Sequence, residues 1–319
     1  MGRHFAVPQR RRTIDRLTHD LLMTAALTEV DASESTIRRV LNIFSDGFLN
    51  ASVQFRTTSK PVGRRDLCFR YLDLDTAIHP LDLAHASGEL EQRPDDPAHR
   101  WLVDARRVFG ALGYGADFEA TAGLTKIWHF LDRAWHPRRF VDRLEMPPSF
   151  AASLPVIEAV GLDAVTIIGV DYPNRSFNIY FRPPGHDVLR GACERLGFPA
   201  PSREAEAHAA ASGCIAFTYA WGSPRVERIC FYTPNFRRDD VPDVHPNLVA
   251  FARAAPALVD DPRFILGWSH GPGGHYFKLE DDYTGDVSGI FAAAMGVAEA
   301  ERTCTALPVQ QPDGPELHV

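Results

Sequence analysis

Five times along this sequence the apolar residues fall into a period of two, break at a turn, and resume the alternation. That period puts successive side chains on opposite faces of a strand, so each passage reads as an antiparallel hairpin with one apolar and one polar face. The last is the plainest. Within 263–283, two strands flank Gly271, Pro272, Gly273 and Gly274; His275, Phe277 and Leu279 take one face, and Tyr276, Lys278 and Glu280 take the other. The first hairpin joins 51–58 to 66–73 around Pro61, Val62 and Gly63. The second joins 118–122 to 124–131, and the third joins 163–172 to 176–182 through Pro173 and Asn174. The fourth joins 213–221 to 226–232 through Gly222, Ser223 and Pro224. Helical periodicity fills the intervals: 13–30, 35–49 (capped by Asp31, Ser33 or Ser35), the span before the second hairpin, 148–160, 186–196, 202–211, 246–258 and 287–300.

Strands joined by tight turns are antiparallel, because parallel neighbours need long crossovers. If helices cover one face of every hairpin, the remaining faces must meet each other, and a closed barrel does this without leaving an edge. The expected fold is therefore α/β: a closed barrel of ten antiparallel strands from five αββα repeats, helices outside. It forms a single domain over 1–319, with 1–12 and 304–319 as loose tails.

Parity then sorts the inner face. In the first hairpin Leu67, Phe69 and Tyr71 face the helices, which leaves Cys68 and Arg70 inside with Gln54 and Arg56 on the partner strand. Lys126, Trp128 and Phe130 share the inner face of the second; Asn178, Tyr180 and Arg182 share that of the third. In the fourth, Arg228, Cys230 and Tyr232 stand opposite Cys214, Ala216 and Thr218, and in the fifth Lys278 and Glu280 point inward. Buried charge is costly unless paired. The inward acids are expected to be too few for these cations, so the lumen should take a polyanion.

The net charge of −7 argues against a nucleic-acid binder and makes any basic site a local pocket. Cys68, Cys193, Cys214, Cys230 and Cys304 are scattered and show no C-x-x-C, so they read as reduced thiols with neither a disulfide framework nor a zinc site. No signal-peptide pattern follows the basic start, and no apolar run approaches the ~20 residues that span a bilayer. The expectation is a soluble, cytoplasmic protein.

Several strings now add up. They are RTTSKP (56–61), AGLTKIWHF (122–130), VDYPNRSFNIYFR (170–182), RVERICFY (225–232) and GWSHGPGGHYFKLEDDYTG (267–285). With the five-unit order they resemble the soluble aromatic prenyltransferases of the ABBA, or PT-barrel, family. The likeness runs nearest to the bacterial branch acting on dihydrophenazine carboxylates or 4-hydroxyphenylpyruvate. The resemblance implies transfer of a dimethylallyl or longer prenyl group from its diphosphate to an aromatic small molecule in secondary metabolism, by a chain acting as a monomer. It implies that Arg56, Arg70, Lys126, Arg228 and Lys278 hold the diphosphate, and that Trp128, Tyr180 and Tyr232 shield the allylic cation. Thr166, Cys214 and Ala216 would border the acceptor. Magnesium-dependent members carry an aspartate where this sequence has Cys68, and Arg70 follows two residues on. A thiol is a poor ligand for Mg²⁺, so no cofactor is expected and the reaction should be magnesium-independent.

Ionising an allylic diphosphate builds negative charge on the leaving group, which fixed cationic donors stabilise as it develops. After ring attack the arenium ion must lose a proton, and Glu280, two residues from Lys278 on the same face, is the candidate base. Its structural reading is an ion-pair partner for Lys278 or a lumen arginine. The string Asp239, Asp240, Val241, Pro242, Asp243 mimics an Mg²⁺–diphosphate motif, but its proline and position make it a surface loop. His270 and His275 flank a turn with no third ligand in view. A non-catalytic barrel that carries an isoprenoid diphosphate or aromatic acid is the competing reading.

Overall fold

The computed structural model describes residues 12–74, 79–93, 95–182 and 188–295. Helices α1 (Ile14–Thr28), α2 (Glu34–Ile43) and α3 (Ser45–Asn50) lead into strands β1 (Ser52–Thr58) and β2 (Leu67–Asp73). Next come α4 (Pro80–Ser87), α5 (Pro97–Phe109), β3 (Gly113–Glu119) and β4 (Gly123–Trp135). The third unit is α6 (Arg138–Arg143), α7 (Pro148–Ala159), β5 (Val165–Asp171) and β6 (Ser176–Phe181). The fourth is α8 (Val188–Leu196), α9 (Arg203–Ala210), β7 (Cys214–Ala220) and β8 (Val226–Arg237). The last is α10 (Pro246–Ala254), β9 (Arg263–Gly271), β10 (Gly274–Asp281) and the closing helix α11 (Val287–Met295). All neighbours pair antiparallel, and β1 pairs with β10 to close a ten-stranded barrel.

Local chemistry sets the element ends. Thr13 and Ser33 accept hydrogen bonds from Arg16 N and Thr36 N, capping α1 and α2. Arg12 is no part of a loose tail: its Nη1 donates to the Phe48 and Ala51 carbonyls and ties the entry of α1 to the end of α3. The expected tail at 304–319 and the final turns of the last helix, 296–300, lie outside the described residues.

The main apolar core is the ring between barrel and helices, not the barrel interior. Phe55, Phe69, Phe118, Phe177, Phe217 and Leu279 point outward from their strands and are wholly buried against the helices. Truncating any one of the phenylalanines to alanine should cost about 3–5 kcal/mol. A small eight-stranded barrel is just filled by its own side chains; ten strands leave a wider lumen.

Candidate active site

The hairpin turns all lie at one end of the barrel, and there the lumen is charged. Arg56 from β1 lies 3.4 Å from Asp117 of β3 and 3.9 Å from Asp66. Arg70 from β2 bridges Asp117 at 3.3 Å and Glu280 at 3.0 Å. Lys126 lies 3.6 Å from Asp171, and Lys60 in the first turn holds Asp66 at 2.8 Å. Burial, with Arg228 and Lys278 as like-charged neighbours, pulls Lys126 down to about 8 despite Asp171.

This corrects the expected shortage of inward acids. Asp66, Asp117 and Asp171 join Glu280 inside, and Arg56, Arg70 and Lys126 are matched by them. Arg228 and Lys278 are different: among the described residues neither has a carboxylate within ion-pair distance. Lys278 Nζ donates to Tyr232 OH at 3.3 Å and lies 5.5 Å from that ring's centre, and Arg228 Nε is buried without a hydrogen-bond partner. Between them stands Tyr276. Burial pushes its phenol up, but Lys278, Arg228 and Lys60 outweigh that and hold it at about 8. Tyr276 is absent from the sequence-assigned site, although its parity with Lys278 and Glu280 is the signal that could have found it.

Away from the turns the lumen becomes aromatic, then apolar. Trp128 Nε1 donates to Tyr180 OH at 2.9 Å, and Asn178 Nδ2 donates to the same oxygen at 3.2 Å. Arg70 and Lys126 lie 5.0 and 5.7 Å from the indole centre. Glycines make room for these rings. A Cβ on Gly169 would stand 2.5 Å from Trp128 Cδ1, one on Gly115 3.0 Å from its Cε3, and one on Gly267 3.2 Å from the Tyr232 ring. At the far end Leu72, Phe130, Ile167, Cys214, Ala216, Cys230 and Ile265 form a second apolar cluster with Val287 and Met295 of α11, which packs across β1, β2, β4 and β5. The cavity, roughly 480 Å³ of atom-free space with its mouth included, touches Arg56, Arg70, Lys126, Trp128, Tyr180, Tyr232, Lys278 and Glu280.

With that geometry in view, comparison with known proteins is decisive. A family model described as aromatic prenyltransferase Orf2 matches residues 13–295. The chain belongs to this family. Among its relatives, the prenyltransferase is 27% identical over 289 residues to 4-hydroxyphenylpyruvate 3-dimethylallyltransferase of Streptomyces niveus, covering 87% of each chain. It is 26% identical over 270 residues to 5,10-dihydrophenazine-1-carboxylate 9-dimethylallyltransferase of Streptomyces anulatus, covering 81% of this chain and 89% of that one. Solved structures agree on the fold: a 6-dimethylallyl tryptophan synthase superposes with a TM-score of 0.54 at 13% identity, covering 84% of this chain and 96% of its own. The family is enzymatic, so the carrier reading gives way.

In the prenyltransferase every sequence-assigned site residue is buried or half-buried. Arg56, Arg70, Lys126, Lys278 and the three rings line one cavity, while Arg228 does not line it and acts on Lys126 and Tyr276 from beside it. Thr166 sits at a bulge in β5 and donates to Met295 Sδ at 3.2 Å, which sets it at the α11 end near Cys214 and Ala216. Glu280 pairs with Arg70, not with Lys278. Arg182 does not reach the lumen: it lies past β6, exposed, with Nη1 directed to the Met295 carbonyl at 3.5 Å. Arg175 also turns away, pairing with Asp96 at 2.7 Å. Cys68 accepts from Arg56 Nη2 at 2.6 Å, and burial holds its thiol well above the usual range, as it does for Cys214. The residues at 239–243 lie in an exposed loop and short turn, as expected. No cluster of three metal-binding side chains occurs among the described residues, and no described helix is long and apolar enough to cross a membrane.

Proposed function

We propose that the prenyltransferase ionises dimethylallyl diphosphate between Arg228 and Lys278 and delivers the allyl group to an electron-rich aromatic ring. The observation that carries the reading is a pair of cations without carboxylate partners among the described residues, buried Lys278 and half-buried Arg228, set beside the acidified phenol of Tyr276. A diphosphate satisfies both and draws in Lys126, whose charged form it favours against the pull of burial. Arg56 and Arg70 contribute from a second row, because Asp117 and Glu280 already balance them. The choice of donor follows the two Streptomyces relatives, both named dimethylallyltransferases.

The C–O bond to the diphosphate breaks and leaves its electron pair on oxygen, where the cations hold it. Trp128, Tyr180 and Tyr232 present π-faces to the allyl cation, each worth ~0.5–2 kcal/mol. The closed barrel excludes water that would quench it. The acceptor ring forms the new C–C bond, and Glu280 takes the ring proton. The acceptor is a phenol or a phenazine-carboxylate-like arene, seated toward Thr166, Cys214 and Ala216. Each chain carries the whole lumen, so a monomer suffices.

Metal independence is part of the proposal. Around Cys68 the hard oxygen donors Asp66 and Asp117 are engaged by Lys60, Arg56 and Arg70, and a thiol suits Mg²⁺ poorly. The test is pyrophosphate release with dimethylallyl diphosphate and a panel of phenols, alongside mass spectrometry of the product. A barrel that binds the diphosphate tightly but releases no pyrophosphate with any acceptor would sink the reading.

A further inference from the structure

Gln54 lies on the inward face of β1, between Val53 and Phe55, which point to the helices. It is fully buried, and neither its Oε1 nor its Nε2 has a hydrogen-bond partner in the protein. An unsatisfied buried amide is expensive, so a glutamine here is tolerated for something it meets. Directly opposite across the β1–β2 ladder is Arg70, also buried. Its Nε and Nη1 are taken by Asp117 and Glu280, while its Nη2 is buried and unpartnered. Arg70 lines the cavity while Gln54 lies beside it without lining it. Cross-strand partners hold their Cβ atoms about 5 Å apart, so a small group seated at the free guanidinium edge comes within reach of the amide once the two side chains part to admit it.

We propose that Gln54 and Arg70 together bind a neutral phenolic hydroxyl on the aromatic acceptor. The proposal rests on the prenyl-transfer reading of this lumen and narrows its acceptor. The donor and acceptor atoms match a hydroxyl: Arg70 Nη2 donates to its oxygen, and the hydroxyl donates to Gln54 Oε1. A carboxylate offers only acceptors and would leave Gln54 Oε1 unmatched. Charge points the same way. Arg56 and Arg70 already face Asp117 and Glu280, two cations against two anions. A third anion beside them would be repelled, whereas a neutral hydroxyl leaves the balance intact. Asn178 and Tyr180, across the barrel on β6, keep the bound ring against Trp128.

The experiment is equilibrium binding of 1-naphthol, 1-methoxynaphthalene and 1-naphthoate in the presence of unreactive dimethylallyl S-thiolodiphosphate. The native enzyme should bind the naphthol at least about tenfold more tightly than its methyl ether or the naphthoate, the discrimination expected where a buried donor–acceptor pair is left unmatched. Gln54→Leu should erase that preference without lowering Tm or thiolodiphosphate affinity, and Gln54→Met supplies a second, unbranched replacement. Equal affinity for naphthol and ether in the native enzyme, a preference retained in both variants, or tighter binding of the naphthoate overturns the proposal. Loss of thiolodiphosphate binding in the native enzyme would instead overturn the donor reading beneath it.

Discussion

Gly169→Ala is the most revealing single change in this barrel, because it adds one methyl group where the catalytic rings are packed. The new Cβ would stand 2.5 Å from Trp128 Cδ1 and 2.9 Å from its Nε1. Carbon atoms rest at about 3.5–4.0 Å, so the indole must retreat by roughly 1 Å or more. Its opposite side is closed by Gly115 and Leu72. A shift of that size breaks the 2.9 Å hydrogen bond from Trp128 to Tyr180 and moves the π-face out of line with the lumen. Overpacking of this kind costs about 1–3 kcal/mol, seen as a Tm lower by a few degrees. If the indole's share of cation stabilisation is ~0.5–2 kcal/mol, kcat should fall about 2- to 30-fold. Differential scanning fluorimetry and steady-state product formation measure both. Pairing the change with Trp128→Phe gives a double-mutant cycle in which the smaller ring should relieve the stability loss. Gly169→Ala with unchanged Tm and kcat would refute the reasoning, since the methyl would then have been absorbed without moving the ring.

Four further outcomes are expected. Arg228→Ala and Lys278→Ala should each cost roughly 2–4 kcal/mol in kcat/KM, read from initial rates; near-native values in both would exclude the diphosphate site. Turnover should survive EDTA, and a collapse reversed by Mg²⁺ would show that the acids around Cys68 serve a metal after all. Glu280→Gln should lower kcat ~10²–10⁴-fold if it is the base, while diphosphate affinity measured by calorimetry stays close to native. An unchanged kcat would reduce Glu280 to the partner of Arg70. Outside the lumen, His79 and His129 share a 2.7 Å hydrogen bond, and burial pulls His79 to about 4 and His129 down as well. Their folded values lie below the unfolded one, so the unfolded chain binds more protons and stability falls as pH drops from 6.5 toward 4. Each contributes up to about 1.4 kcal/mol per pH unit in that window. His79→Asn, which keeps the cap accepted from Leu81 N, should flatten the pH dependence of Tm between 6.5 and 5, and an unaltered slope would reject the assignment.

The barrel was legible because four hairpins carry unlike residues on their two faces. Phe177, Ile179 and Phe181 against Asn178 and Tyr180 can be read only one way. The second hairpin misled. Its first strand was expected at 118–122, yet β3 is Gly113–Glu119. Glycines at 113 and 115 weaken the strand signal, and Gly115 is there because Trp128 on the next strand covers it. Missing that register hid Asp117, the acid that balances both Arg56 and Arg70. Asp171 was hidden for the opposite reason: before its last residue β5 carries no charge and Thr166 as its single polar side chain, so parity had little to act on. Ion pairing is a matter of which strands meet across a lumen, and no local pattern reports it. Arg182 failed because the alternation runs one residue past the point where β6 ends.

The sorting of the lumen by height has an evolutionary reading. Every hairpin turn lies at one mouth, so the strands with charged inward residues, such as β3, β4, β5 and β8, carry them near the turn, and the apolar inward positions gather near α11. Walking from Arg228 through Cys230 to Tyr232 crosses from leaving-group chemistry to acceptor chemistry in a single strand. Mutation at the inward positions of the α11 end can therefore explore new acceptors while the ionising machinery stays untouched. Selection for a new aromatic substrate needs to rewrite only one storey of the barrel.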